Sequence, residues 1–144
     1  MSKKKIILSI LLVLVLVIII FVVGVHAYMY SRIKKPDKLE VSIKEGTLTR
    51  TSATLIMKDT NIITHSYSPY YRIEKKVNEE WQKLPDQSEP SVYPSVAQCI
   101  NPTTHITELS IDWTDKYGRL GNGEYRIVHK YDDRFYRYIE FTID

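Results

Sequence analysis

The stretch YYRIEKKVNEEWQKL, residues 70–84, decides the fold class. Tyr71 and Ile73 share one parity, which is the period of a strand with one buried face. Asn78-Glu79 follows at the place of a two-residue turn, and Trp81 lies on the return strand. The stretch therefore predicts a β-hairpin.

Similar alternating runs lie on both sides of this hairpin. Their inward apolar residues are Leu39, Val41 and Ile43, then Ala53, Leu55 and Met57, then Leu109, Ile111 and Trp113, then Tyr125 and Ile127, and finally Ile139, Phe141 and Ile143. No segment after residue 38 shows a helical period. About seven short strands in a chain of this length predict an all-β, immunoglobulin-like antiparallel β-sandwich, with a small barrel as the alternative. Cys99 is the one cysteine, so no intramolecular disulfide can form.

Several short motifs match a known family as a set. They are Tyr71-Arg72-Ile73-Glu74-Lys75 with Trp81, Ile111-Asp112-Trp113, Tyr117-Gly118-Arg119-Leu120, Gly123-Glu124-Tyr125-Arg126-Ile127, and Phe141 with Ile143. Over roughly residues 39–143 the chain thus resembles a family of bacterial Ig-like domains, found in exported or membrane-tethered proteins of Gram-positive bacteria. The resemblance implies a β-sandwich outside the membrane, and it implies no catalytic or binding residues. One departure is the turn at Asn78-Glu79, where the family pattern leads us to expect a glycine.

An apolar segment precedes the predicted sandwich. Residues 6–25 carry no charge, and as a helix they span about 30 Å, the thickness of a bilayer core. We therefore expect one N-terminal transmembrane helix that contacts the lipid bilayer through residues 6–25. The expected organisation is a short basic cytoplasmic tail (1–5), a signal-anchor (6–27), a basic juxtamembrane stalk (28–38) and the Ig-like domain (39–144).

The orientation follows from the short basic N-terminus, which is hard to move across a membrane. We expect a single-pass cell-membrane protein with its C-terminal domain outside the cell. The alternative is a secreted protein, because Val25-His26-Ala27 would suit cleavage near Ala27.

Charge is divided unevenly along the chain. Residues 1–38 contain seven basic residues and one acidic residue, a net charge of +6, whereas residues 39–144 contain 13 basic and 16 acidic residues, a net charge of −3. The basic flanks suit lipid headgroups. A mildly acidic domain disfavours a nucleic-acid partner.

Residues that could perform chemistry are scattered. His65, His105 and His129 lack a second ligand at metal-binding spacing, and Cys99 has only His105 nearby in sequence. Asp132-Asp133 lacks the spacing of a calcium loop. We therefore predict no enzyme activity, no cofactor and no metal site.

The strongest candidate for recognition is an aromatic and basic group at the C-terminal end. Its residues are Tyr131, Arg134, Tyr136, Arg137 and Tyr138. Tyrosine and arginine are enriched in recognition surfaces. We expect a non-catalytic binding or structural role at the cell envelope, with an envelope protein or the cell wall as partner. An accessory or sensory subunit of a membrane complex is the alternative.

Overall fold

The computed structural model describes residues 3–33, 36–88 and 97–144. The chain divides into two compact units, residues 1–35 and 36–144. The first unit is one helix, α1, Lys3–Ile33, and it continues beyond residue 27, where we expected the anchor to end. By length and composition, Lys3–Ser31 can cross a membrane.

The described part of the second unit contains eight strands after a short 3₁₀ turn, Pro36–Lys38. The strands are β1 (Leu39–Ile43), β2 (Ser52–Asp59), β3 (Ser66–Val77), β4 (Glu80–Lys83), β5 (Gln98–Cys99), β6 (Ile106–Asp112), β7 (Gly123–Tyr131) and β8 (Phe135–Ile143). β5 was not predicted, because its two residues lie in a stretch rich in proline and serine.

The strands form two antiparallel sheets. One sheet has the order β1-β2-β6, and the other has the order β4-β3-β7-β8, with β5 also pairing with β3. In the larger sheet, Ile73 is opposite Ile127 and Glu74 is opposite Arg126. Ile73 and Ile127 point into the core, so the charged pair points outward. The predicted Ig-like antiparallel sandwich is confirmed.

The core lies between the two sheets. Leu55 and Ile111 from the smaller sheet pack with Ile73 and Ile127 from the larger sheet. Trp113 is fully buried, and its Nε1 donates a hydrogen bond to the Arg50 carbonyl oxygen at 3.0 Å. Burial of a large aromatic ring with its polar atom satisfied stabilises the centre of the sandwich.

Trp113 directly precedes a one-turn helix, α2, Thr114–Tyr117. The sequence did not predict this helix, because a single turn is too short to show a 3.6-residue period. Gly118 ends it with a φ of 66°, a conformation that glycine adopts at little cost.

The hairpin between β3 and β4 turns at Asn78 and Glu79, as predicted. Their φ angles are 51° and 66°, so both residues occupy the left-handed region. Two such residues form the type I′ turn that matches the twist of a hairpin. Glu79 occupies this conformation in place of the glycine that we expected.

Candidate partner-binding face

The outward side of the larger sheet carries the candidate site, which we call the outer face. It comprises Arg72, Glu74 and Lys76 on β3, Trp81 on β4, Arg126 on β7, and Tyr136 and Tyr138 on β8. On β3 and β7 these side chains alternate with core residues, because successive side chains of a strand point to opposite sides of the sheet. Four neighbouring strands thus contribute to one surface.

Glu74 lies at the centre of the outer face. Its carboxylate accepts hydrogen bonds from Arg126 Nε at 2.6 Å and from Arg72 Nε at 2.8 Å. Arg126 Nη2 is also 2.6 Å from Glu74 Oε2. Burial by itself would raise the pKa of Glu74, but the two guanidinium groups outweigh that effect and lower the pKa. The carboxylate therefore stays ionised and holds both arginines in place.

Aromatic rings cover the Arg126 guanidinium on two sides. Its central carbon is 4.5 Å from the Trp81 ring centroid and 4.6 Å from the Tyr138 ring centroid. Arg72 has a similar contact with Tyr136, at 5.6 Å. These distances fall within the range of cation–π attraction. Tyr136 and Tyr138 remain 41% and 52% exposed, so their rings also face solvent.

A shallow hollow of about 180 Å³ adjoins this stack. Lys76, Trp81, Glu124 and Glu140 are among the residues that line it. Lys76 lies 3.3 Å from Glu124, and its hydrogen bonds to Glu79 and Glu124 raise the pKa of the lysine. The hollow therefore offers charges of both signs beside an aromatic ring.

The structure brings together only part of the predicted aromatic and basic group. Tyr136 and Tyr138 lie on the outer face, and Arg134 is exposed in the loop between β7 and β8. Arg137 has the opposite parity, and its Nε donates to the Leu39 carbonyl oxygen at 3.2 Å. Tyr131 is fully buried, so its inclusion in a surface was wrong. It occupies the last inward position of β7, and burial raises the pKa of its hydroxyl.

Asp59, Asn61 and His65 form a buried polar cluster that the sequence did not predict. His65 is fully buried, and its Nδ1 lies 2.6 Å from Asp59 Oδ2. The Asp59 carboxylate also accepts hydrogen bonds from the Asn61 and His65 backbone N–H groups. Burial alone would raise the pKa of Asp59, but these hydrogen bonds lower it. Asp59, Asn61 and His65 lie within seven residues, so a histidine shortly after an Asp-Thr-Asn turn was the available signal in the sequence.

The cluster connects three segments of the sandwich. His65 Nε2 lies 3.9 Å from Asp132 Oδ2, so this second ring nitrogen faces a carboxylate. Asp132 Oδ1 accepts hydrogen bonds from the Ser66 backbone N–H and hydroxyl, both at 2.8 Å. The cluster therefore joins the end of β2, the start of β3 and the turn after β7.

The other candidates considered in the sequence are Cys99 and the possible metal ligands. Cys99 is exposed on β5. Within residues 3–33, 36–88 and 97–144, no group of three or more His, Cys, Asp or Glu side chains could hold a metal ion.

The two-sheet antiparallel sandwich is that of Ig-like domains, which are typically non-catalytic modules of the extracellular type. The chain belongs to the family described as bacterial Ig-like domain, whose model matches residues 35–142. A search of curated proteins finds no match to the chain.

Proposed function

We propose that the chain is a membrane-tethered, extracytoplasmic Ig-like module that binds an envelope partner without catalysing a reaction. Helix α1 serves as the anchor, and the outer face binds an envelope protein or a cell-wall polymer. The observation that supports this role is the Arg126 guanidinium held by Glu74 and covered by Trp81 and Tyr138.

The outer face has the composition and the rigidity of a recognition surface. Trp, Tyr and Arg are the residue types that most often dominate binding energy. Hydrogen bonds and ring contacts hold Arg126 before any partner arrives. A pre-ordered side chain loses less conformational freedom on binding, which favours affinity.

The tethering is supported by α1. Its apolar residues are exposed, and a long helix with an uncharged centre is unfavourable in water but favourable in a bilayer. Lys3, Lys4 and Lys5 favour an N-terminus that stays in the cytoplasm.

Site-specific photo-crosslinking in intact cells tests the binding role. A benzophenone amino acid replaces Tyr138 on the outer face, and in a matched control it replaces Ser110, which is exposed on the smaller sheet. We expect an adduct of defined mass from position 138 and none from position 110. Digestion with a protease or with a wall hydrolase then identifies the partner as protein or polymer.

The competing functions give different results. An absence of adducts at position 138, or identical adducts at both positions, contradicts a binding role for the outer face. Recovery of the protein from the medium with a new N-terminus near Ala27 supports the secreted alternative.

A further inference from the structure

Two adjacent isoleucines project into solvent from the connection between β2 and β3. Ile62 is 83% exposed and Ile63 is 49% exposed. Ile106, at the start of β6, is 47% exposed at the same end of the sandwich, opposite Lys58 of β2. Among the described residues of the second unit, the exposed large aliphatic side chains are these three, which we call the isoleucine tip.

The isoleucine tip does not belong to a loosely held loop. Asn61 and Thr64, on either side of the two isoleucines, are buried. Asn61 donates to Asp59 Oδ1 at 2.7 Å, and the Thr64 hydroxyl donates to the Ile100 carbonyl oxygen at 2.8 Å. The fold therefore holds Ile62 and Ile63 outward, although isoleucine is among the side chains most often buried.

The tip lies at the end of the domain where the chain enters from α1. The Thr60 backbone N–H donates to the Lys38 carbonyl oxygen at 3.2 Å. Lys38 is five positions after Ile33, the last residue of α1, so by chain length alone that interval spans at most about 18 Å. An anchored domain thus keeps this loop within reach of the headgroup layer.

The polar surroundings of the tip are compatible with a lipid surface. Lys38, Lys58 and Arg134 are exposed at this end, together with Asp37 and Asp133. Long basic side chains beside an apolar tip can contact headgroup phosphates while the apolar groups enter the interface.

We propose that the isoleucine tip docks into the interfacial layer of the bilayer that α1 spans. This inference rests on the proposed tethering. The Asp59–His65 cluster then has a role beyond folding, because it holds the docking loop in its protruding shape. Lys76 and Trp81 of the outer face lie at the other end of β3 from the tip and stay accessible to a partner.

Fluorescence quenching in vesicles tests this proposal with the full chain. The protein carries Cys99→Ser and either Ile62→Cys or Glu79→Cys, each labelled with an environment-sensitive fluorophore. Glu79 is the matched control. The isoleucine tip precedes β3, whereas Glu79 follows the other end of that strand, and its side chain is 88% exposed. Phosphatidylcholine and phosphatidylglycerol vesicles contain lipids with a spin label at a shallow acyl position. Flotation of the vesicles reports the anchor separately.

We expect the protein to float with the vesicles and lipid quenching at position 62 to be at least about fivefold stronger than at position 79. Replacing Ile63 and Ile106 by serine in the Ile62→Cys protein should reduce that quenching, and an unchanged near-UV circular dichroism spectrum would show an intact fold. Flotation with equal, weak quenching at both positions overturns the docking proposal and leaves the tethering intact. Failure to float overturns both. Iodide in the aqueous phase serves as a second quencher. If neither the lipid quencher nor iodide reaches position 62, protein such as a second copy covers the tip, and this result also overturns the proposal.

Discussion

Replacement of Glu74 by glutamine removes the charge at the centre of the outer face. Glu74 is buried, and its carboxylate accepts hydrogen bonds from two guanidinium groups. Hydrogen bonds to charged groups contribute about 1.5–3 kcal/mol each. The amide oxygen of the substituted glutamine still accepts one of them, and Arg72 and Arg126 retain partial access to solvent. We therefore expect the free energy of unfolding to fall by about 2–3 kcal/mol, less than the roughly 3–5 kcal/mol of a fully buried broken pair.

The stability that Glu74 contributes should depend on pH in a defined direction. The folded pKa of Glu74 is below its ordinary value of 4.5, so its contribution is present above that value. The contribution is lost as the pH falls through the lower, folded pKa. The difference in stability between wild type and Glu74→Gln should therefore be largest near pH 7 and should shrink below about pH 4.5.

Urea denaturation of the full chain in detergent micelles measures this difference. The fluorescence of Trp81 and Trp113 reports unfolding of the sandwich, because both tryptophans of the chain lie there. Glu108→Gln is the matched control, since Glu108 pairs with Lys44 at 2.9 Å but is 49% exposed. The control should lose less than about 1 kcal/mol. A loss below about 0.5 kcal/mol for Glu74→Gln, or a difference independent of pH, would show that an ionised Glu74 does not stabilise the domain through the two arginines.

Three further substitutions test other parts of the structure by the same denaturation assay. Glu79→Gly should stabilise the domain by about 0.5–1 kcal/mol, because glycine adopts positive φ without strain; a destabilised variant contradicts the assigned turn. Lys116→Met should destabilise it by about 1–2 kcal/mol, since the buried ammonium lies 4.4 Å from the Tyr70 ring centroid and 3.3 Å from Asp86; unchanged stability argues against these contacts. Asp59→Asn should cost about 2–4 kcal/mol at pH 7, with the cost shrinking in acid because the folded pKa of Asp59 is lowered; a pH-independent cost would falsify that assignment.

Local patterns were sufficient to predict most of the fold. The parity of Tyr71 and Ile73 placed both in the core, and the hairpin turn lies at Asn78 and Glu79. These predictions depend on neighbours in sequence, for which a two-residue period is a direct signal. The same two-residue period places Glu74 and Arg126 on the outward side of their strands, where they form an ion pair, but it does not show that Glu74 is buried.

Contacts between residues that are distant in sequence were not predicted. The approach of His65 to Asp132 depends on the pairing of β3 with β7, so spacing along the chain could not reveal it. Trp81 was correctly placed on the return strand of the hairpin, but its contact with Arg126 also depends on the pairing of β3 with β7. The burial of Tyr131 depends on where β7 ends, and strand ends leave weak signals in a sequence.

Labelling of single cysteines in intact cells tests directly whether the domain is anchored outside the cell. In a Cys99→Ser background, cysteine replaces Glu79 in the domain or Ser2 in the N-terminal tail, and a membrane-impermeant maleimide is added before and after permeabilisation. We expect full-length protein in the membrane fraction, with position 79 labelled in intact cells and position 2 labelled only after permeabilisation. Labelling of position 79 only after permeabilisation, or a mature protein released near Ala27, would contradict this expectation.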